Sequence, residues 1–564
     1  MKINFSLKEA KVKKILLISI PVVFLIIFLI LPLIEIIIIS LGLNNGSISF
    51  NYYIEVINNP LNQYFLYWNI QQAILSVIIC LAIGLPGSFI FASYTFPFKN
   101  IIRNIMTIPF ILPPIVVLMG FITVYGNGGV FNVIWYQIFG SNAISIYNTY
   151  EGILLAHVFY NIPVVIRLTE NGWYNIDLEV VNVAKTLQGS NFQIIKSIIL
   201  PKLIPSIAMA SLLVFIYTFN SFAIVLVLGG VKFQTLEVRI YSLVKSSFRI
   251  NMGSALTIIQ LLINIVVIIG YLRVNKKYTI PKGQKSAFFQ KRITQRLQSI
   301  TIIIYLGIVG LFAFTPLFAI VFSSIIGNNG DFTLDNYNFL WKSDLKGYLG
   351  IDPSTMIINS ILFAILVTIF AISLSLLLNI GKNYDFSYIE KSKLYIMDSL
   401  SDLIVILPLT ISSITLSFAL FSLYRTTFIY ENISLMIIIA QTLIAFPFAN
   451  RIISTARDEI DMDILIAGRT LRASRLRIFL KLELPLLVSS ILVAGLFCFA
   501  ISLGEFGATN FLAKGNFATI PVGIYKLVNT RNIGPASALS SILMIVTLIS
   551  FLALEKFGKM NLRF

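Results

Sequence analysis

The sequence predicts an all-α integral membrane protein of about twelve spans, built as two homologous six-helix halves. Three observations lead there. Hydrophobic residues fill 57% of the 564 positions and charged residues only 12%, with a mean hydropathy of +0.89, a balance outside that of soluble globular chains. Apolar runs long enough to cross a bilayer core of about 30 Å recur along the whole chain. The second half also repeats the polar landmarks of the first at a constant spacing.

Residues 1–14 form a basic N-terminus, and the first apolar run begins at Ile15, behind Lys11, Lys13 and Lys14. A cleaved leader is the first alternative, but the run is too long and further spans follow, so it reads as a signal anchor. Later runs begin near Ile70, Ile105, Ile153, Ile204 and Leu256, completing a first module over 15–273. A polar linker, 274–299, interrupts the chain with Pro281 and Gly283 as breakers. A second module, 300–555, has runs from near Ile300, Ile357, Leu400, Leu435, Leu486 and Ala536, before a C-terminus at 556–564.

Lys and Arg outnumber Asp and Glu by 42 to 24. Such a surplus can signal nucleic acid, but here it lies in short stretches between apolar runs, as in cytoplasmic loops. Basic residues occupy Lys2 to Lys14, Lys99 with Arg103, Arg167 to Lys202, and the linker, whereas 44–69 and 126–150 contain none. Both termini and the linker are therefore expected on the cytoplasmic side. Cys80 and Cys498 sit in apolar runs, and His157 is the sole histidine, so neither a disulfide framework nor a metal site is expected.

An offset of 284 carries Pro163 to Pro447, Arg167 to Arg451, Thr186-Leu187 to Thr470-Leu471, Ser190 to Ser474, Pro201 to Pro485, Phe222 to Phe506, Thr235 to Thr519 and Tyr241 to Tyr525. Ile111-Leu112-Pro113 answers to Ile406-Leu407-Pro408 at an offset of 295, and Asn69 to Asn359 at 290. Matched apolar positions could be accidental, but matched Pro, Arg, Ser and Thr argue for duplication. An even number of spans per copy makes the repeat parallel, with its axis along the membrane normal.

The best-matched segments are the predicted cytoplasmic loops 168–203 and 452–485. Val180, Val183, Ala184 and Leu187 recur at helical spacing, as do Ile464, Ala467, Gly468 and Leu471. Each stripe could lie on the membrane surface, on its own bundle, or in a groove of a cytoplasmic partner. The spacing leaves all three open.

These loops resemble the EAA signature of ABC importer permeases, E-A-A-x-x-x-G followed by nine residues and I-x-L-P. Asn182, Val183, Ala184 and Gln188 take the motif positions ahead of Leu200-Pro201, followed by Gly189; Ile466, Ala467, Gly468 and Arg472 do so ahead of Leu484-Pro485. Neither copy has the acidic residue or the glycine of the signature. SFAIVLVLGG from Ser221 and SLGEFGATNF from Ser502 are further similar to the fused permeases of ferric iron and thiamine import.

The resemblance implies a type I ABC importer permease in a bacterial cytoplasmic (inner) membrane, with each loop seated on one of two copies of an ABC ATPase subunit. An extracytoplasmic binding protein would deliver the substrate, ferric iron or thiamine. No G-x-x-x-x-G-K-[ST] loop occurs in the sequence, so the chain itself is expected to carry no cofactor, with ATP and Mg on the separate ATPase. Buried polar residues that could line a pathway are His157, Asn161, Asn220, Gln441 and Glu505; a helix-packing role is the preferred reading for His157, helix glue for Asn161 and Asn220, and a structural role or a contact with a delivery protein is the alternative for Glu505. An ion-coupled secondary transporter would call for more mid-membrane charge, and a membrane enzyme for a convergent catalytic set that cannot be assembled here.

Overall fold

A computed structural model of the chain describes residues 2–43, 48–106, 108–141, 145–174, 176–278, 291–293, 296–327, 330–341, 349–382, 405, 407–471 and 473–560. Among them are 11 helices long and apolar enough to cross a membrane. Six lie in the first module: Lys14–Ser40, Pro60–Ser93, Pro114–Phe139, Tyr150–Trp173, Phe192–Phe219 and Ile250–Val274. Five lie in the second: Arg296–Ile325, Pro353–Lys382, Ile433–Asp458, Arg475–Gly504 and Ile533–Leu554. The span expected from near Leu400 begins outside the described residues, at 400–404 and 406; its described part holds the short turn Leu407–Thr410 and the 12-residue helix Ser413–Tyr424, shorter than a full crossing. Its counterpart is Pro114–Tyr125, also 12 residues, which breaks at Gly126 before Val130–Phe139.

Helices are the expected solution here, because lipid offers no partner to a backbone amide. The fourth span is central in each module, with 78% of its apolar window buried in Tyr150–Trp173 and 72% in Ile433–Asp458, against 28% in Ile250–Val274. Both central spans carry a buried proline, Pro163 and Pro447.

From the fourth span onward the offset of 284 holds element by element. Leu178–Thr186 answers to Met462–Thr470, Asn191–Ile194 to Arg475–Ile478, and Ala223–Leu228 to Gly507–Leu512. A π-helical turn even recurs in register, at Ile195–Ile199 and Phe479–Glu483. Its cause is local: Pro201 and Pro485 come next, lacking an N–H and crowding the carbonyl four residues back, and a widened turn relieves that clash.

Upstream, the structure shifts one pairing. Ile108–Ile111 and Leu407–Thr410 are the matching short turns, each two residues before a 12-residue helix. Pro408 thus corresponds to Pro109 rather than Pro113. The tripeptide match misled because Ile-Leu-Pro and Ile-Pro-Phe-Ile-Leu-Pro offer two prolines four residues apart.

The chain forms two compact units, 1–50 with 335–564, and 51–334. These are not the two sequence modules: each unit includes the first span of the other module. Within 51–334, the span Arg296–Ile325 packs against Pro114–Tyr125, and Tyr305 donates its hydroxyl to the Ile83 carbonyl at 2.8 Å. Glycine permits the approach: a Cβ on Gly120 would lie 2.4 Å from the Pro316 oxygen. Within 1–50/335–564, Lys14–Ser40 packs against Pro353–Lys382, where a Cβ on Gly381 would lie 2.7 Å from Ile18 Cγ1. Tyr424 donates to the Ile27 carbonyl there at 2.8 Å. Two linker residues, Lys291–Arg292, pair as a short parallel strand with Tyr94–Thr95 inside unit 51–334.

Candidate functional site

Both loops between the fourth and fifth spans fold the same way, and the sequence says why. Asp177 and Asp461 stand just ahead of the two short helices, their carboxylates accepting the N–H of Glu179 at 2.9 Å and of Asp463 at 3.0 Å. After the helix, Ser190 and Gln193 form a reciprocal capping box, Ser190 Oγ accepting the Gln193 N–H at 3.2 Å and Gln193 Oε1 the Ser190 N–H at 2.9 Å. Ser474 accepts the Arg477 N–H at 3.4 Å in the second copy.

The helix C-terminus closes through Gly189 N–H to the Ala184 carbonyl at 3.0 Å, and through Ala473 N–H to the Gly468 carbonyl at 3.2 Å. Gln188 has φ 58, the left-handed conformation that favours glycine. This is the position where the signature carries glycine, so the local geometry supplies the reason for that residue. Arg472, its equivalent, lies outside the described residues.

Each loop helix rests on a small apolar core. Ile176, Val181, Ile194 and Leu203 pack together with Ala184, Ile198 and Ile199 around them. The equivalents Leu465, Ile478 and Leu487 are buried and Ile460 half-buried. Ala184 therefore turns inward, and so does Gly468, where a Cβ would lie 2.9 Å from Leu482 Cδ1.

What faces outward is a narrower stripe than the sequence outlined: Val180, Val183 and Leu187 on one loop, Ile464, Ala467 and Leu471 on the other, all exposed. Leu187 and Leu471 are 78% and 82% exposed, which removes the own-bundle alternative for the outward stripe. Asn182, Gln188 and Ile466 are exposed beside it, Gly189 is half-buried, and Leu200-Pro201 and Leu484-Pro485 begin the α-helical stretches of the fifth spans that follow the π-turns.

The intramembrane polar residues separate into different environments. Gln441 and Glu505 belong to one network: Gln441 Nε2 donates to Thr509 Oγ1 at 2.9 Å, Ser502 Oγ donates to Gln441 Oε1 at 2.5 Å, and Thr509 Oγ1 donates to Glu505 Oε2 at 3.1 Å. Glu505 also accepts the backbone N–H groups of Ala508 at 2.8 Å and Thr509 at 3.0 Å. It caps the helix Gly507–Leu512, so its oxygens are occupied by the protein.

Asn220 ends the fifth span of the first module, its Oδ1 accepting Gln260 Nε2 at 2.9 Å and Asn264 Nδ2 at 3.1 Å. Gln260 further reaches Glu237 Oε1 at 3.3 Å. His157, the repeat equivalent of Gln441, is 1% exposed with neither ring nitrogen bonded within the protein, and Asn161 Nδ2 donates to its carbonyl at 2.8 Å. Phe159 is absorbed in a ring cluster with Phe121 and Phe312, and Tyr160 donates to the Leu112 carbonyl at 2.9 Å.

Sequence reasoning passed over Gln260, Asn264 and Glu237, and also the buried triad Arg457–Glu483–Arg475. The available signal was a polar or charged residue inside an apolar run, weakest for residues close to a loop.

Comparison with known proteins agrees with this architecture. The binding-protein-dependent transport system inner membrane component matches the chain twice, over residues 84–280 and 387–559, together more than half of its length. The thiamine transport system permease protein of Haemophilus influenzae is 25% identical over 494 residues, 87% of this chain and 87% of that protein. Its namesake in Escherichia coli is 22% identical over 511 residues, 88% and 89% of the two chains. The ferric transport system permease protein of Actinobacillus pleuropneumoniae is 26% identical over 451 residues, 78% of this chain and 63% of that one.

Proposed function

Because the chain belongs to the inner membrane components of binding-protein-dependent transport systems, we propose that it moves thiamine inward, driven by two copies of an ABC ATPase subunit that seat on its two loops. It is a multi-pass component of a binding-protein-dependent transport system, and on this reading ATP hydrolysis falls to the separate ATPase chain. The observation that carries the coupling reading is the duplicated outward stripe, Val180–Val183–Leu187 and Ile464–Ala467–Leu471, apolar yet exposed on two capped helices in register. An amphipathic helix of that kind fits a partner groove through a few apolar anchors.

The basic loops support a cytoplasmic placement of those helices, both termini and the linker, where ATP and Mg would be held by the partner. The match over 87% of the thiamine permease, against 63% of the ferric relative, favours thiamine; the 26% identity to the ferric permease keeps iron as the second reading. Alternating access would draw on polar residues within each unit, His157, Asn161 and Asn220 in 51–334 and Gln441 in the other, with Glu505 holding the structure around Gln441.

The test is a tagged chain purified in mild detergent, alone and as Val183→Glu with Ala467→Glu. Recovery of an ATPase subunit at about two per permease, lost in the double variant while insertion persists, is the expected result. Undiminished recovery with the double variant overturns the docking reading. Uptake of labelled thiamine but not ferric iron in cells bearing the whole system supports the first substrate, and the reverse pattern the second.

A further inference from the structure

The two loops share a fold and an apolar core, but their roots are fastened by different chemistry. In the second module Glu483, the last residue of the π-turn, contacts both sides of the loop at once. Its Oε2 accepts Arg457 Nη2 at 2.8 Å, from the last turn of the fourth span, and its Oε1 accepts Arg475 Nη1, from the helix just after the loop. The side chains of Arg457, Glu483 and Arg475 are 5%, 0% and 11% exposed. Arg457 also donates to the Asn379 carbonyl of the second span.

The offset of 284 places Trp173, Ile199 and Asn191 at the same three positions of the first module. Trp173 likewise ties the fourth span to the second, through Nε1 to Ser88 Oγ at 3.2 Å and ring contact with Phe89. Trp173 and Ile199 pack on the apolar core beneath the loop. The first module has a buried acid of its own, Glu170, but that one pairs with Arg103 at 3.1 Å and joins the fourth span to the segment Lys99–Ile105, not to the outgoing side of the loop.

A buried carboxylate bonded to two guanidinium groups is directional: it fixes distances and angles in a low-dielectric setting. Apolar packing is non-directional and tolerates sliding. Charges withdrawn from water are also costly to retain, and a positional role is the best-attested reason for keeping them. We propose that Glu483 is a positioning residue for energy coupling, clamping both roots of the second loop so that Met462–Thr470 moves as one body with the fourth and fifth spans, while the first loop is hinged on apolar contacts. The proposal rests on the coupling reading above and makes the two ATPase contacts unequal.

The experiment compares the full chain, with its co-purified ATPase subunits, in two forms: wild type, and the triple variant Arg457→Trp, Glu483→Ile, Arg475→Asn, which copies a solution the first module already uses. Glu483→Gln serves as a second, near-isosteric variant. Amide hydrogen exchange is monitored in 178–186 and 462–470, before and after trapping with ATP and orthovanadate. In wild type, 462–470 exchanges at least threefold more slowly than 178–186, and trapping changes protection through 475–483 as well. The triple variant brings 462–470 to the rate of 178–186 and confines the trapping response to the loop helix, with ATPase stoichiometry retained. Equal rates in the two wild-type loops, or an unaltered response in both variants, overturn the clamp. If no ATPase accompanies the wild-type chain, the coupling reading fails by itself, and the exchange comparison on the chain alone still decides whether Glu483 fastens the loop.

Discussion

Gly120→Ala tests how the exchanged spans are held. The added methyl would sit 2.4 Å from the Pro316 carbonyl oxygen, 2.8 Å from its carbon and 2.9 Å from its Cβ. Two of these atoms belong to backbone, which cannot rotate aside as a side-chain tip can. Reaching even 3.0 Å requires a retreat of 3.0 − 2.4 = 0.6 Å along the whole face between Arg296–Ile325 and Pro114–Tyr125. In lipid no hydrophobic force draws helices together, so close backbone approach supplies much of the attraction.

Overpacking of this kind costs about 1–3 kcal/mol. At about 2–4 °C per kcal/mol for a unit of a few hundred residues, the unfolding midpoint should fall by about 2–12 °C. The two cysteines allow the fall to be located. Cys80 lies in unit 51–334 and Cys498 in unit 1–50/335–564, both fully buried. A thiol-reactive fluorogenic dye applied to Cys498→Ala protein reports the first unit, and to Cys80→Ala protein the second. Gly120→Ala should lower the Cys80 transition and leave that of Cys498 in place, whereas Gly381→Ala should do the opposite through Ile18. Unchanged midpoints, or equal shifts in both reporters, would refute the reasoning.

Other substitutions act through single contacts. Gln188→Gly should slow exchange of the Val183–Leu187 amides, because it relieves a left-handed residue at a cost of about 1–2 kcal/mol; faster exchange would show that the side chain contributes more than the backbone strain. Glu505→Ala strips the cap from Gly507–Leu512 and should lower the Cys498 midpoint by the equivalent of about 1–2 kcal/mol, with a smaller fall for Glu505→Gln. Lys99, in the turn after the second span, has its amine lowered to about 8 chiefly by burial, with Glu170 pulling it up and Arg103 pushing it down. The unfolded chain keeps that proton to about 10.4. Between those values the unfolded state holds more protons, so this group's contribution to stability rises with pH and its burial penalty is present below about 8. Amine labelling of Lys99, normalised to strongly alkaline pH, should be half-maximal near 8; a half-point at an ordinary lysine value would contradict the burial. Finally, two half-chains divided at the linker should co-purify when expressed together, since each compact unit draws on both.

The helical class, the duplication and the register of the loops were legible because lipid leaves helix as the economical backbone and because Pro201 and Ser190 act locally, as do Pro485 and Ser474. Leu187 and Leu471 were read as a stripe from spacing alone. Spacing could not decide that Ala184 and Gly468 turn inward, since the stripe and the inward positions are neighbours on a helix of two and a half turns. The exchange of first spans was invisible for a different reason: it is fixed by close approach at Gly120 and Gly381, and a glycine in an apolar run does not name the helix that will lie against it. The Glu483 triad escaped because each member sits beside a basic loop, where charge is ordinary.

The exchanged spans also set a schedule for biosynthesis. The helix Lys14–Ser40 leaves the ribosome more than three hundred residues ahead of Pro353–Lys382, its packing neighbour. At about 5–20 residues per second, that interval lasts roughly 15–60 s. Through that time the first span waits without that neighbour, and its Ile- and Leu-rich surface, with Glu35 as its single acid, is suited to waiting. Unit 51–334 can close once residue 334 has emerged; the other is opened by the first helix made and sealed only by the last.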